Sequence, residues 1–154
     1  YNESNTGDIE SINLNINNDS IKIIESKEIT ETYLDKEIII SCGVGALKQV
    51  DNLQLLAKKL NASFGITRDV YDKGYLNSNY LVGQSGKITN STIYLAFGIS
   101  GAIEHIVGIN SDIVISINND LNAPIYKISD YYINEDVNIL IPELINKLKE
   151  DNNG

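Results

Sequence analysis

The chain has 154 residues, with no methionine, only two prolines, one cysteine and one histidine. The single cysteine, Cys42, excludes an internal disulfide and a thiolate metal cage, so we expect a reduced, intracellular setting. The single histidine, His105, has no second ligand at a diagnostic spacing, which argues against a metal site. No apolar run approaches the roughly 18 residues of a membrane span, and no segment has a signal-peptide pattern. We therefore expect no membrane insertion.

Positive charge is also scarce. Twelve Lys and Arg face 21 Asp and Glu, which gives a formal net charge of -9 at pH 7. Nucleic-acid affinity comes largely from cationic contacts to phosphates, so the composition argues against a nucleic-acid partner. It also means that a bound phosphate must be held by backbone amides and a few placed cations, because no general positive field is available.

Strand-like and helical stretches alternate from Glu37 onward. Predicted strands are 37–41, 62–66, 81–82, 93–97, 113–117 and 125–128. Predicted helices are 49–60, 102–109 and 136–149, the last with a break or kink near Pro142 because proline removes a helical hydrogen bond. The alternation predicts an α/β fold with a doubly wound, mostly parallel sheet and helices on both faces.

We interpret residues 1–33 as a disordered lead followed by remnant strands of a preceding domain. Residues 34–154 then form the main domain, whose length suits a single core covered on both faces. Because the chain starts at Tyr1 and lacks methionine, we expect it to be a fragment or a processed product of a longer protein.

The stretch FGISGAIEHIVG, residues 97–108, is the most informative motif. It indicates the end of a buried strand, a glycine-bracketed turn and the first two turns of a helix. Gly98 and Gly101 allow a tight turn and close approach of a ligand. Ser100 is a good N-cap, and the free amides after it predict an anion site reinforced by the helix dipole. His105 lies one turn further along.

Six other segments accompany this motif: TRD, DKG, QSGK, SINND, NAPIY and SDYY, at 67–69, 72–74, 84–87, 116–120, 122–126 and 129–132. Their order and spacing resemble the C-terminal FAD-binding domain of electron transfer flavoprotein alpha subunits, from about Ile38 to Leu144. The resemblance implies a Rossmann-like FAD-binding domain. It implies an electron carrier without bond-making chemistry, which takes electrons from acyl-CoA dehydrogenase-type flavoenzymes to an acceptor. It also implies a heterodimer with a beta subunit, and we expect this in a bacterial cytoplasm.

The resemblance also assigns roles to residues. Arg68 is a cation beside the flavin ring that raises its reduction potential, His105 donates to the pyrimidine edge, and the Ser85 hydroxyl donates to a ring nitrogen. The full set of implied FAD contacts, with no catalytic residue and no metal ligand, is Thr67, Arg68, Val82, Gly83, Gln84, Ser85, Ser100, Gly101, Ala102, Ile103, Glu104, His105, Asn118, Asp136 and Val137.

Several of these residues have plainer explanations. Arg68 could form only a surface salt bridge, which is worth little. His105 could be a partly buried histidine satisfied by a carbonyl. Asn118 and Asp136, assigned to the adenosine half, could be a turn residue and a helix N-terminal charge. Cys42 is better explained as a small apolar residue after a buried strand.

Four positions depart from the family pattern. Val44 stands where the pattern has an arginine that contacts the cofactor, Glu104 replaces glutamine, Tyr132 replaces glycine and Asn119 replaces lysine. These changes keep open an alternative, a divergent adenine-nucleotide-binding module without redox activity. A small enzyme that uses Cys42 or His105 with a nicotinamide cofactor is a third alternative. The first strand turn, SCGVG, disfavours it because it lacks the complete GxGxxG pattern.

Overall fold

The computed structural model describes residue 34 and residues 36–153, with side chains up to residue 151. Five strands form one sheet: β1 Ile38–Cys42, β2 Ser63–Ile66, β3 Ser91–Phe97, β4 Ser111–Asn118 and β5 Tyr131–Asn134. Their order is β2-β1-β3-β4-β5, and every neighbouring pair is parallel. This is one of the common doubly wound orders, with the switch point between β1 and β3. The prediction of a doubly wound α/β fold is confirmed.

The central strands are apolar because both of their faces are covered. Ile39 and Ile40 of β1 point to opposite faces of the sheet and are both fully buried. Ile39 belongs to one hydrophobic cluster and Ile40 to the other. Continuous burial of this kind is typical of parallel sheets, and it explains the unbroken apolar run in the sequence.

Two long helices cover one face of the sheet. Helix α1, Val50–Lys59, buries Leu53 and Leu56 in the cluster that contains Ile40. Helix α4, Val137–Asn153, packs Ile141 and Ile145 into the same cluster. The apolar side chains at helical spacing therefore form the contact surface with the sheet.

The opposite face has only short helical segments. The four-residue helix α3, Ile103–Ile106, and the 3-10 helix Pro124–Ile128 lie there, together with the loop around Val82. The remaining helix, α2 Arg68–Asp72, is a single turn after β2, and two further 3-10 segments span Val44–Gln49 and Ser78–Tyr80. The loops on this side are therefore close to the sheet.

Two strand predictions are wrong, and one strand was not predicted. Residues 125–128 form a 3-10 helix instead of a strand, because Pro124 at its start fixes a helical φ. The fifth strand is Tyr131–Asn134 instead, paired with β4 from Ile115 to Asn118. The short strand at 81–82 is reduced to isolated bridges to Ile66 and Lys87.

Helix α4 also differs from expectation, since it runs through Pro142 without interruption. Proline there removes the N–H that would reach the carbonyl of Asn138, and its ring crowds that carbonyl. Burial of Ile141 and Ile145 on either side holds the helix against the sheet. No helix in the described part of the chain is long and apolar enough to cross a membrane. The predictions for residues 1–33 lie outside the described residues.

Candidate functional site

A cleft of about 600 Å³ opens at the carboxyl ends of the strands. The loops after β1, β2, β3 and β4 all contribute to its walls, so the cleft spans the switch point between β1 and β3. Ligands in doubly wound sheets bind at this position. Its volume lies within the usual range for small-molecule and cofactor sites.

The floor of the cleft is backbone. The amide of Gly43 donates to the carbonyl of Phe97 (2.9 Å), and the amide of Gly45 donates to the carbonyl of Gly98 (3.0 Å). Gly98 has φ +65, and a Cβ on it would lie 2.6 Å from the carbonyl carbon of Gly45. The loops after β1 and β3 can meet this closely only because Gly43, Gly45 and Gly98 have no Cβ.

The turn after β3 presents free backbone amides. Gly101 adopts φ +100, and the carbonyl of Ser100 accepts from the amide of Ile125 (2.9 Å). The helix therefore begins only at Ile103, with Ala102 as its N-cap, so the expected two-turn helix and the Ser100 cap are wrong. In the described part of the chain, the amides of residues 100–104 donate to no carbonyl. Successive free amides of this kind bind anions.

Arg68 lies at the rim of the cleft with three contacts. Its Nε donates to Asp72 Oδ1 (2.9 Å), and its Nη1 donates to Ser85 Oγ (3.0 Å). The guanidinium carbon is 5.7 Å from the centre of the Tyr71 ring. Arg68 therefore forms the surface salt bridge of the plainer explanation, with Asp72 as its partner. The same guanidinium also lies beside the hydroxyl of Ser85, which lines the cleft.

Both ring nitrogens of His105 are occupied. Nδ1 lies 3.1 Å from the carbonyl oxygen of Val82, and Nε2 lies 2.8 Å from the hydroxyl of Tyr94. A carbonyl can only accept, so Nδ1 carries the proton and Nε2 accepts from Tyr94. The geometry matches the plainer explanation, a histidine satisfied by a carbonyl. Donation to a ligand would require the Tyr94 bond to break.

Burial lowers the pKa of His105 from 6.5 to about 4, while the bond to Val82 opposes this shift. Above pH 6.5 the imidazole is neutral in both the folded and the unfolded chain. Between pH 6.5 and 4 only the unfolded chain takes up the proton, so stability falls as the pH falls. We expect His105 to cost about 3 kcal/mol of the free energy of unfolding by pH 4.

Urea unfolding at pH 7.5, 5.5 and 4.5 measures this loss. Carboxylates also titrate at the acid end, so the comparison is with His105→Gln, which should lose less stability over the same range. The imidazole signal of the chain's only histidine gives its pKa directly by NMR. A folded-state value near 6.5 contradicts the prediction.

The cleft gathers most of the residues predicted from the sequence. Those that line it are Thr67, Arg68, Val82, Gln84, Ser85, Ser100, Ala102, Glu104, His105 and Asn118. The others do not line it: Gly83, Gly101, Ile103, Asp136 and Val137. The amide of Asn138 donates to Asp136 Oδ1 (2.9 Å), so Asp136 caps helix α4. Val137 is buried in the core and Ile103 is 74% exposed.

Asn118 lines the cleft while its side chain holds two loops. Its Nδ2 donates to the carbonyl of Ile99 (2.9 Å), and its Oδ1 accepts from the amide of Asp120 (3.0 Å). Asn118 therefore acts as a turn residue that joins the ends of β3 and β4, and it also forms part of the cleft wall.

Several lining residues were absent from the predicted contact set: Gly43, Val44, Gly45, Asp69, Gly98, Ile99 and Asp120. Most of them follow a strand directly, so their place at a strand end was the available signal. Among the departures from the family pattern, Val44 lines the cleft and is 43% exposed. Tyr132 stacks on Tyr126 with ring centres 4.4 Å apart.

Cys42 is fully buried at the end of β1. Burial raises the pKa of its thiol to about 12. A thiolate is therefore absent at neutral pH, and the interpretation of Cys42 as a small apolar residue fits the structure.

The charges around the cleft are mainly negative. Asp69, Glu104 and Asp120 line it, and Arg68 is the one cation among the described lining residues, since His105 is neutral. No group of three or more His, Cys, Asp or Glu in the described part of the chain could hold a metal ion. A ligand phosphate here must rely on the free amides and on Arg68.

Comparison with known proteins identifies the family to which this cleft belongs. Residues 33–110 match the model of the electron transfer flavoprotein FAD-binding domain. The mitochondrial electron transfer flavoprotein subunit alpha of Arabidopsis thaliana is 42% identical over 116 residues, 73% of this chain and 32% of the relative. Protein FixB of Clostridium saccharobutylicum is 41% identical over 133 residues, 84% of this chain and 40% of the relative.

A third relative is the acryloyl-CoA reductase electron transfer subunit beta of Anaerotignum propionicum. It is 39% identical over 136 residues, 84% of this chain and 37% of the relative. The chain thus spans about a third to two-fifths of the length of these relatives. It belongs to the electron transfer flavoprotein FAD-binding domain family, and its cofactor is FAD.

Proposed function

We propose that this chain is the part of an electron transfer flavoprotein alpha subunit that holds FAD and carries electrons. In the proposal the donors are acyl-CoA dehydrogenase-type flavoenzymes, and the domain works in a heterodimer with a beta subunit. A cytoplasmic location is part of the proposal, supported by the lone, buried Cys42. The observation that carries the proposal is the single cleft shared by Arg68, Ser85 and the turn at Ser100.

The cleft fits FAD in shape and in donor chemistry. Gly43, Gly45 and Gly98 line its floor, where the loops after β1 and β3 pack backbone against backbone. The free amides of Ser100, Ala102 and Glu104, which line the cleft, suit a pyrophosphate, since it needs N–H donors where cations are few. Arg68 supplies one positive charge at the rim.

Bound FAD would supply the reversible uptake of electrons. The chain's own groups bind and tune it. The free amides of Ser100, Ala102 and Glu104 would hold the pyrophosphate, and Arg68 would place a positive charge beside the ring. The Ser85 hydroxyl accepts from Arg68, so its own proton remains available to the ligand. His105 contributes a neutral wall.

The adenine-nucleotide-binding module remains a second candidate because of the charges described above. Val44 removes a cation from the rim, and Glu104 adds a carboxylate near a group that must tolerate added electrons. An ADP-like ligand has no redox ring, so the Glu104 carboxylate would not have to tolerate added electrons beside it. The nicotinamide enzyme has less support, since the thiol of Cys42 is buried and both nitrogens of His105 are occupied.

Titration with FAD tests the proposal. The purified chain is titrated alone and with its beta subunit, and the visible spectrum and redox titration are recorded. We expect saturable FAD binding, a perturbed flavin spectrum and reversible reduction of the bound flavin. Binding of ADP with no displacement by FAD would instead favour the nucleotide module. An unchanged spectrum with the beta subunit present contradicts electron transfer.

A further inference from the structure

We propose that Asp72 is a positioning residue that acts on the bound flavin through Arg68. The proposal rests on the proposed function, because it assumes that FAD occupies the cleft. Asp72 itself is not among the residues that line the cleft. Its effect on the ligand must therefore pass through the guanidinium that it holds.

The local fold places these two residues together. Helix α2 has five residues and starts at Arg68, one residue after the end of β2. One helical turn brings Asp72, four positions later, beside the Arg68 side chain. The Asp72 carboxylate accepts from Nε at 2.9 Å, and both side chains are 54% exposed.

The contact of Nε with Asp72 leaves the Nη atoms of the guanidinium available for other hydrogen bonds. Nη1 donates to Ser85 Oγ at 3.0 Å, and Ser85 lines the cleft. Arg68 thus connects Asp72, which does not line the cleft, to Ser85, which does. An unrestrained arginine has considerable rotamer freedom, and ordering it on binding reduces affinity. Asp72 orders it beforehand.

The direction of the guanidinium matters because no other arginine exists in this chain. Asp69 lies next to Arg68 and also lines the cleft, as do Glu104 and Asp120. Without Asp72, the neighbouring Asp69 carboxylate and the solvent compete for the guanidinium. The hydrogen bond to Ser85 would then be made only part of the time.

The first measurement needs no ligand. A single arginine gives a single Nε–Hε signal in a ¹⁵N NMR spectrum. We expect slow hydrogen exchange of this proton in the wild-type chain and faster exchange in Asp72→Ala. Asp72→Asn keeps an acceptor oxygen and should retain slow exchange. Equal exchange in wild type and Asp72→Ala overturns the proposal.

The second measurement is the dissociation constant and reduction potential of FAD in a double-mutant cycle. An exposed pair is worth little, so Asp72→Ala should weaken FAD binding by about two- to fivefold. It should have no effect in an Arg68→Ala background. Asp72→Asn should bind FAD at least as well as wild type, because it keeps the contact and removes a negative charge.

Asp112→Ala is the matched control. Asp112 is an exposed acid in β4, near its amino end and so at the opposite edge of the sheet from the cleft. It should leave both FAD parameters unchanged. The positioning role is overturned if Asp72→Ala loses as much FAD affinity in the Arg68→Ala background as in the wild type. It is also overturned if Asp72→Asn binds FAD as weakly as Asp72→Ala. A wild-type chain that binds no FAD overturns the proposed function as well, whereas wild-type binding with an unaffected Asp72→Ala overturns the positioning role alone.

Discussion

Val44→Arg binds FAD more tightly than the wild-type chain, with a dissociation constant about 10- to 100-fold lower. Val44 lines the cleft at the end of β1 and is 43% exposed, so a longer side chain has room to reach a bound ligand. An arginine here supplies a second cation beside a cleft whose described charges are mainly carboxylates. A charge-assisted hydrogen bond to a pyrophosphate is worth roughly 1.5–3 kcal/mol, which gives this range of affinity.

Isothermal titration of FAD into both proteins measures the change. Ile139→Arg is the control, since it adds the same charge to the exposed surface of helix α4 without lining the cleft. It should leave the affinity almost unchanged. Equal affinity of Val44→Arg and the wild-type chain would show that the missing cation at residue 44 is not what limits binding.

Gly98→Ala destabilises the chain by about 2–5 kcal/mol and abolishes ligand binding. Gly98 has φ +65, where an L side chain is strained by about 1–2 kcal/mol. The new Cβ would also clash with the backbone of Gly45 and Ala46. Overpacking against atoms that cannot rotate away costs a further 1–3 kcal/mol or so. The loops after β1 and β3 must separate to relieve it, and the floor of the cleft is lost.

Gly74→Ala separates strain from clash. Gly74 has φ +81, in the same conformational region, but a Cβ there would meet nothing within 4 Å. We expect it to lose only about 1–2 kcal/mol and to keep its affinity for FAD. Free energies of unfolding from urea titrations compare the two variants. If they lose the same stability, the contact at the floor does not carry the cost.

The parts of the fold that the sequence predicted are those where local pattern and tertiary packing agree. The apolar run Ile38–Ile40 and the run before Phe97 became the central strands β1 and β3. Leu53 and Leu56, at helical spacing, became the packed face of α1. The strand ends then followed, and the cleft with them, since ligands in this topology bind at those ends.

The parts that were missed depend on distant contacts. The helix after Gly101 ends at Ile106, and beyond it the Gly108 carbonyl accepts from the amide of Thr89, which lies in another loop. His105 became a buried bridge because Tyr94 and Val82, distant in sequence, meet it in space. Neither partner could be identified from spacing, so the state of its ring nitrogens required the structure.

The order of the strands has a consequence for the growing polypeptide. β1 pairs with both β2 and β3, yet β3 ends only at Phe97, long after the loop at Gly43 has been made. A nascent chain that has emerged only as far as β2 therefore has the loop at Gly43 but lacks Gly98, which completes the floor of the cleft. Loading of the flavin must wait until the second half of the domain has left the ribosome.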